Sequence, residues 1–167
     1  MDLALSASAA KVFLPFVLPI CVWVMFSDLK YMKIRNTAVL ALVAIYAVIG
    51  FFALPLDVYF SGWMQGLVML VVGFVAASIG LVGAGDAKVF AAISPFVARA
   101  DIPKFTILLA TCLLVGFVAH RLVRASPLAK KLAPEWESWH RKKEFPAGIS
   151  LGFLLALYLI LAAFFNV

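Results

Sequence analysis

Five stretches of this chain, residues 12–27, 37–56, 62–82, 104–120 and 145–165, are apolar enough and close to long enough to cross a bilayer. An α-helix rises about 1.5 Å per residue, so about 20 residues cover roughly 30 Å of hydrocarbon. Lipid offers no hydrogen bonds, and only helices or closed barrels satisfy their own backbone there. Of the 167 residues, 66% are hydrophobic and 13% charged, which excludes an ordinary water-soluble domain. The expected fold is all-α, a polytopic membrane helix bundle forming one domain over 1–167. Asp2 precedes any basic residue, and the run after Lys11 leads straight into further spans. The first segment is therefore expected to be retained, not cleaved as a signal peptide.

A sixth apolar stretch, "VFAAISPFVA" at 89–98, is short and carries Pro95, which bends or breaks a helix. It is either a short crossing or a re-entrant piece. Lysines and arginines collect on the cytoplasmic side of a membrane. If 89–98 crosses, Lys30, Lys33, Arg35, Lys88, Arg121, Arg124, Lys130, Lys131, Arg141, Lys142 and Lys143 share one side, which is 11 of 14 bases. Lys11, Arg99 and Lys104 take the other. About six transmembrane helices, with the N and C termini outside, is the expectation that follows.

The net charge of +6 is thus explained by orientation, and no nucleic-acid-binding motif accompanies it. Cys21 and Cys112 lie in apolar runs without a CxxC spacing, so no disulfide framework and no metal site is expected. The long polar stretch at 121–144, "RLVRASPLAKKLAPEWESWHRKKE", reads as a cytoplasmic basic loop. Its Trp136 and Trp139 suit an amphipathic segment at the lipid headgroups, with a substrate-docking surface as the alternative. His140 in the same run reads as a surface residue.

Acidic residues near a bilayer need compensation. Of the eight acids, Asp2 is terminal, and Asp57 and Asp101 fall in outside loops, where they are expected to be dispensable. Glu135, Glu137 and Glu144 belong to the basic loop. That leaves Asp28 and Asp86 at the ends of two spans, on one side and at one depth. Two close carboxylates share a proton, so one can activate water while the other polarises a carbonyl. By position alone, each could equally cap a helix or pair with Lys30 or Lys88. In "GAGD", Gly83 and Gly85 let the backbone turn sharply, or let an extended peptide approach, beside the acid.

"GAGDAK" at 83–88 resembles the GxGD(x)K signature of the type IV prepilin peptidases. "SDLKYMKIRN" at 27–36 is similar to their other aspartate segment, and "EFPAGIS" at 144–150 to the Pro-x-Gly stretch that opens their last span. The resemblance implies an aspartic endopeptidase of the bacterial inner membrane with no cofactor. It would cut the cytoplasmic leader from a prepilin whose hydrophobic N-terminal helix lies in the lipid bilayer. Asp28 and Asp86 would be the catalytic pair, and Gly83, Gly85, Lys88, Pro146 and Gly148 would border the substrate. Asn36 would cap the second span, and Lys88 would either bias the pair's protonation or anchor the segment to headgroups. The chain looks like the short Tad/Flp-type form without an N-methyltransferase region, so cleavage without methylation is expected. Preflagellin or pseudopilin cleavage is an alternative, as is ion or proton handling by the same two aspartates without catalysis. The sequence leaves the oligomeric state open.

Overall fold

The computed structural model describes residues 3–141 and 144–165. Asp2, Lys142 and Lys143, which entered the charge argument above, lie outside the described residues. Among those described, no strand occurs.

Helix α1 (Ala7–Tyr31) starts at Ser6, whose Oγ accepts the Ala9 N–H at 3.3 Å and satisfies one free donor of the first turn. It contains Pro15 and Pro19, which a helix packed among others in a membrane tolerates. Helix α2 (Asn36–Ala53) runs through a π-turn at Tyr46–Gly50. Helix α3 (Leu56–Ser78) begins six residues earlier than the apolar run at 62, because Asp57 in its first turn suits the positive end of the helix. Short α4 (Ala84–Ile93) leads through 3-10 turns at Ser94–Phe96 and Arg99–Asp101 into α5 (Ile102–Ala125). Arg121 and Arg124 therefore belong to α5, not to a loop, with Arg124 in its last turn, the helix end that favours cations. Two short helices, α6 (Pro127–Leu132) and α7 (Glu137–His140), precede α8 (Ala147–Phe164).

Helices α1, α2, α3, α5 and α8 are long and apolar enough to cross a membrane. The short sixth segment runs from one end of the bundle to the other. At one end of it, Asp86 shares a cleft with Asp28 near the end of α1. At the other, Asp101 takes the backbone N–H groups of Ala4 and Leu5, just ahead of α1. A 3-10 turn rises about 2.0 Å per residue, more than an α-helix, which helps a short segment reach. Pro95 sits in the first turn of one such piece, where a missing N–H costs nothing.

The core centres on α8, whose Leu154, Leu155 and Leu159 are fully buried and which packs along α1 and against α5. Its Gly148 and Gly152 stand one turn apart facing α1. A methyl group at Gly152 would meet the Cys21 carbonyl oxygen at 2.8 Å, so only a bare backbone allows this approach. Helix α3 is the least covered span and packs chiefly on α4.

Asp101 is not a free loop acid. It is 1% exposed and accepts from Ala4 N at 2.8 Å, Leu5 N at 3.2 Å and the Tyr158 hydroxyl at 2.8 Å. It ties the N-terminus, the start of α5 and the central helix together, which gives it a structural role that the outside-loop reading did not include. Asp101→Ala strands buried donors at a cost of about 1–3 kcal/mol each. We expect it to lower the melting temperature of the detergent-solubilised protein clearly, with exposed Asp57→Ala melting close to the parent; equal melting would contradict the tether.

Candidate active site

Asp28 lies on the last full turn of α1 and is 6% exposed. Its Oδ2 accepts the Gly148 N–H at 2.7 Å. That N–H belongs to the first turn of α8, where backbone donors have no partner within the helix and the helix end is positive. The bond is short and charge-assisted. A Cβ at position 148 would stand 2.8 Å from Oδ2 and 2.9 Å from the Asp28 Cβ, so glycine is a steric requirement here. Immediately beyond, Met32 closes α1 in the left-handed region at φ 49 and donates its N–H to the Asp28 carbonyl at 2.8 Å. For a residue with a side chain this conformation costs roughly 1–2 kcal/mol.

Asp86 sits in the first turn of α4, with Gly83 as the N-cap residue. Its carboxylate folds back over Gly83, where a Cβ would lie 2.7 Å from Oδ2. Gly85 differs, because a Cβ there would meet only Ile34, at an ordinary 3.6 Å. Gly83 makes room for the carboxylate, and Gly85 leaves the wall beside it bare.

Both aspartates line one open-sided cleft of about 1050 Å³ at the end of the bundle where α1 stops and α4 starts. Among the described residues no hydrogen bond links the two carboxylates, and the only salt bridges are those of Arg141, so neither is in an ion pair. The pairings with Lys30 and Lys88 that position allowed are not formed. The Lys30 Nζ lies over the Phe26 and Tyr31 rings, and the Lys88 Nζ donates to Asn36 Oδ1 at 3.3 Å. Asn36 is therefore the first residue of α2 and a partner of Lys88, not a cap; Arg35 holds the cap position and makes no side-chain cap bond. Lys88 joins α2 to α4 at the cleft wall and is not merely a headgroup anchor.

Of the residues expected around the site, Asp28, Gly83, Gly85, Asp86 and Lys88 line the cleft. Pro146 is buried at the start of α8, and Gly148 faces Asp28, so neither borders the open space. Glu137 and Glu144, set aside above as loop acids, do border it. Each meets Arg141 at 3.0 Å, in pairs so exposed that they add little stability. The loop reaches the cleft because it folds back onto the bundle. Trp139 is buried, stacked on His120 of α5 at 5.2 Å and on Trp136 at 5.8 Å, while Trp136 meets Phe26 of α1 at 5.7 Å. Trp139 thus caps the bundle and does not lie among headgroups. Nothing in the local sequence signalled this, since the partners come from α1 and α5. His140 stays exposed, its Nε2 against the Pro134 carbonyl at 2.8 Å.

Two carboxylates without ion-pair partners, lining one open cleft, can divide the acid and base roles of a hydrolysis, one taking a proton from water and the other giving one to a carbonyl. The cleft is wide enough for a short extended peptide beside a water molecule of about 30 Å³. The model of the type IV leader peptidase family matches residues 15–120, which include both aspartates and the GAGDAK stretch. No curated protein and no solved structure shows significant similarity to the chain.

The two glycine environments predict opposite outcomes. Gly148→Ala drives a methyl group into Asp28 and is expected to destabilise the protein. Gly85→Ala is expected to be neutral or to stabilise by up to about 1 kcal/mol, the usual gain from replacing a helical glycine. Thermal unfolding in detergent checks both, and similar melting of the two variants would contradict the geometry.

Proposed function

Because the chain belongs to the type IV leader peptidase family, we propose that it is an aspartic endopeptidase that removes the leader from Flp-type prepilins, with Asp28 and Asp86 as its catalytic pair. The observation that carries this reading is their convergence from two helix ends on a single open cleft. An extended leader–helix junction lies in the cleft beside the bare wall at Gly85. One carboxylate, ionised, takes a proton from water as the hydroxyl attacks the carbonyl carbon. The other, protonated, hydrogen-bonds the carbonyl oxygen and passes its proton to it, giving a neutral tetrahedral diol. The proton taken from water then goes to the leaving nitrogen as the C–N bond breaks, and the diol returns a proton to the second carboxylate. Close carboxylates titrate as a unit, so the acid and base roles belong to the pair.

Charge supports one orientation in the membrane. Lys30, Lys33, Arg35, Lys88, Arg121, Arg124 and Arg141 gather at the cleft end, which supports a cytoplasmic active site in an inner membrane. Lys33, Arg35 and Lys88 line the cleft and Arg141 neutralises Glu137 and Glu144 on its rim, so a basic leader would engage the two aspartates and the backbone, not the rim.

Co-expression with an Flp-type prepilin is expected to yield a shortened pilin on a gel. Asp28→Asn and Asp86→Asn should each abolish that shift while inserting normally, and Asp57→Ala should retain it. Cleavage surviving either aspartate variant would exclude the pair. Failure of the parent to cut any prepilin would turn the reading toward ion or proton handling at the same carboxylates.

A further inference from the structure

A second cavity, of about 310 Å³, lies between α2, α3 and α4 beside the cleft. We propose that this trough seats the apolar helix of the same precursor, so that the helix leaves the trough at Lys88 and its N-terminal extension enters the cleft at Asp86. The inference rests on the peptidase reading and adds where the membrane-embedded part of the substrate lies.

Three helices each present one face to the trough. Val39 and Val43 come from α2, Leu67 and Leu70 from α3, and Ala91 and Ala92 from the floor on α4. Val39 and Val43, Leu67 and Leu70, and Lys88 with Ala91 and Ala92 stand three or four residues apart, the spacing that puts side chains on one side of a helix. Lys88 is the only charged residue among the lining. Such a surface suits an apolar helix laid into a groove.

The shape has a physical origin. At the end away from the cleft, α2 and α3 are pinned together, with the Tyr46 hydroxyl donating to the Tyr59 carbonyl at 3.0 Å and the Tyr59 hydroxyl to the Ala47 carbonyl at 3.1 Å. The Tyr46 and Trp63 rings meet edge to face at 5.5 Å and close that end. Away from that pin α2 and α3 share few close backbone contacts, and each leans instead on α4. The result is a V that opens toward the catalytic end.

Continuity with the cleft selects the occupant. Lys88 lines both cavities, and it follows Asp86 by two residues, about 3 Å along the helix axis. A helix seated in the V therefore has its end at the carboxylates, and the first residues beyond that end are the ones free to extend across them. A lipid chain would fill the same apolar space with nothing to offer the cleft.

The test is crosslinking in membranes, using Asp86→Asn to hold the substrate uncut and an Flp-type prepilin with single cysteines along its helix as the probe. Val43→Cys and Leu67→Cys report on the trough. Leu114→Cys on α5, 65% exposed against 56% for Leu67, is the control for random contact in lipid. Native Cys21 and Cys112 are buried and stay silent. We expect crosslinks from the two trough positions at every third or fourth residue of the prepilin helix, and their loss at Leu114→Cys. Equal yields at all three positions, or crosslinks only at Leu114→Cys, would overturn the proposal. So would labelling of the trough by a photoactivatable phospholipid that excess prepilin fails to displace. Val43→Trp, which fills the trough, should raise KM for prepilin and leave kcat unchanged; an unchanged KM would also count against it. Cleavage by the parent is scored separately, so trough crosslinks without cleavage would sink the peptidase reading alone, and cleavage without trough crosslinks would sink the trough alone.

Discussion

The close approach of α8 to α1 is the contact on which the site depends. Two glycines one turn apart, Gly148 and Gly152, let the α8 backbone touch α1 at Cys21 and Asp28. In lipid there is little hydrophobic gain from joining two apolar helices, so such contacts hold by backbone proximity and hydrogen bonds. Here both are present, because the approach that Gly152 permits also brings the Gly148 N–H within 2.7 Å of the Asp28 carboxylate. A buried acid thereby gains a donor from a helix N-terminus, one of the few places in a membrane protein where free backbone donors exist. Asp28 is fixed in direction before any substrate arrives. Asp86 is fixed differently, by the first turn of its own short helix and the space over Gly83.

Those two supports explain the openness of the cleft. Both aspartates belong to helix ends, and the short segments beside them, Met32 to Arg35 and Gly83, form part of the cleft wall without closing it over. The left-handed Met32 turns the chain away directly after α1. What borders the cleft on the remaining side is the folded segment carrying Trp136, Trp139, Glu137 and Glu144. At the opposite end, Asp101 and the Tyr46–Tyr59 pair hold the spans together with buried polar contacts. Both ends of the bundle are thus tied by polar contacts, and the cleft opens between those at the Asp28 end.

Much of this was legible in the sequence because lipid imposes simple rules. Length and apolarity revealed the spans, and elimination among eight acids left Asp28 and Asp86, which meet at one cleft. What stayed hidden came from long-range contacts. Asp101 and Glu137 look like loop acids until Ala4, Tyr158 and the cleft come into view. Trp139 carries the signature of an interfacial aromatic, yet stacks on His120 from another helix. Asn36 has the chemistry of a cap and instead receives Lys88, 52 residues away. The short crossing at 84–101 defied the length rule because it mixes α and 3-10 turns. In each case local propensity permitted several roles and a distant partner chose one.

The central claim is that Asp28 and Asp86 act on one peptide bond together. A transition-state analogue tests this directly: a peptide spanning the leader junction in which the scissile bond is replaced by a tetrahedral hydroxyl-bearing carbon, which an aspartyl pair binds far more tightly than the substrate. Its affinity would be measured for the parent, Asp28→Asn and Asp86→Asn in detergent. The account predicts saturable binding to the parent and a large loss of affinity in both variants. Binding that is unaffected by either substitution would mean that the two carboxylates do not share a reacting centre.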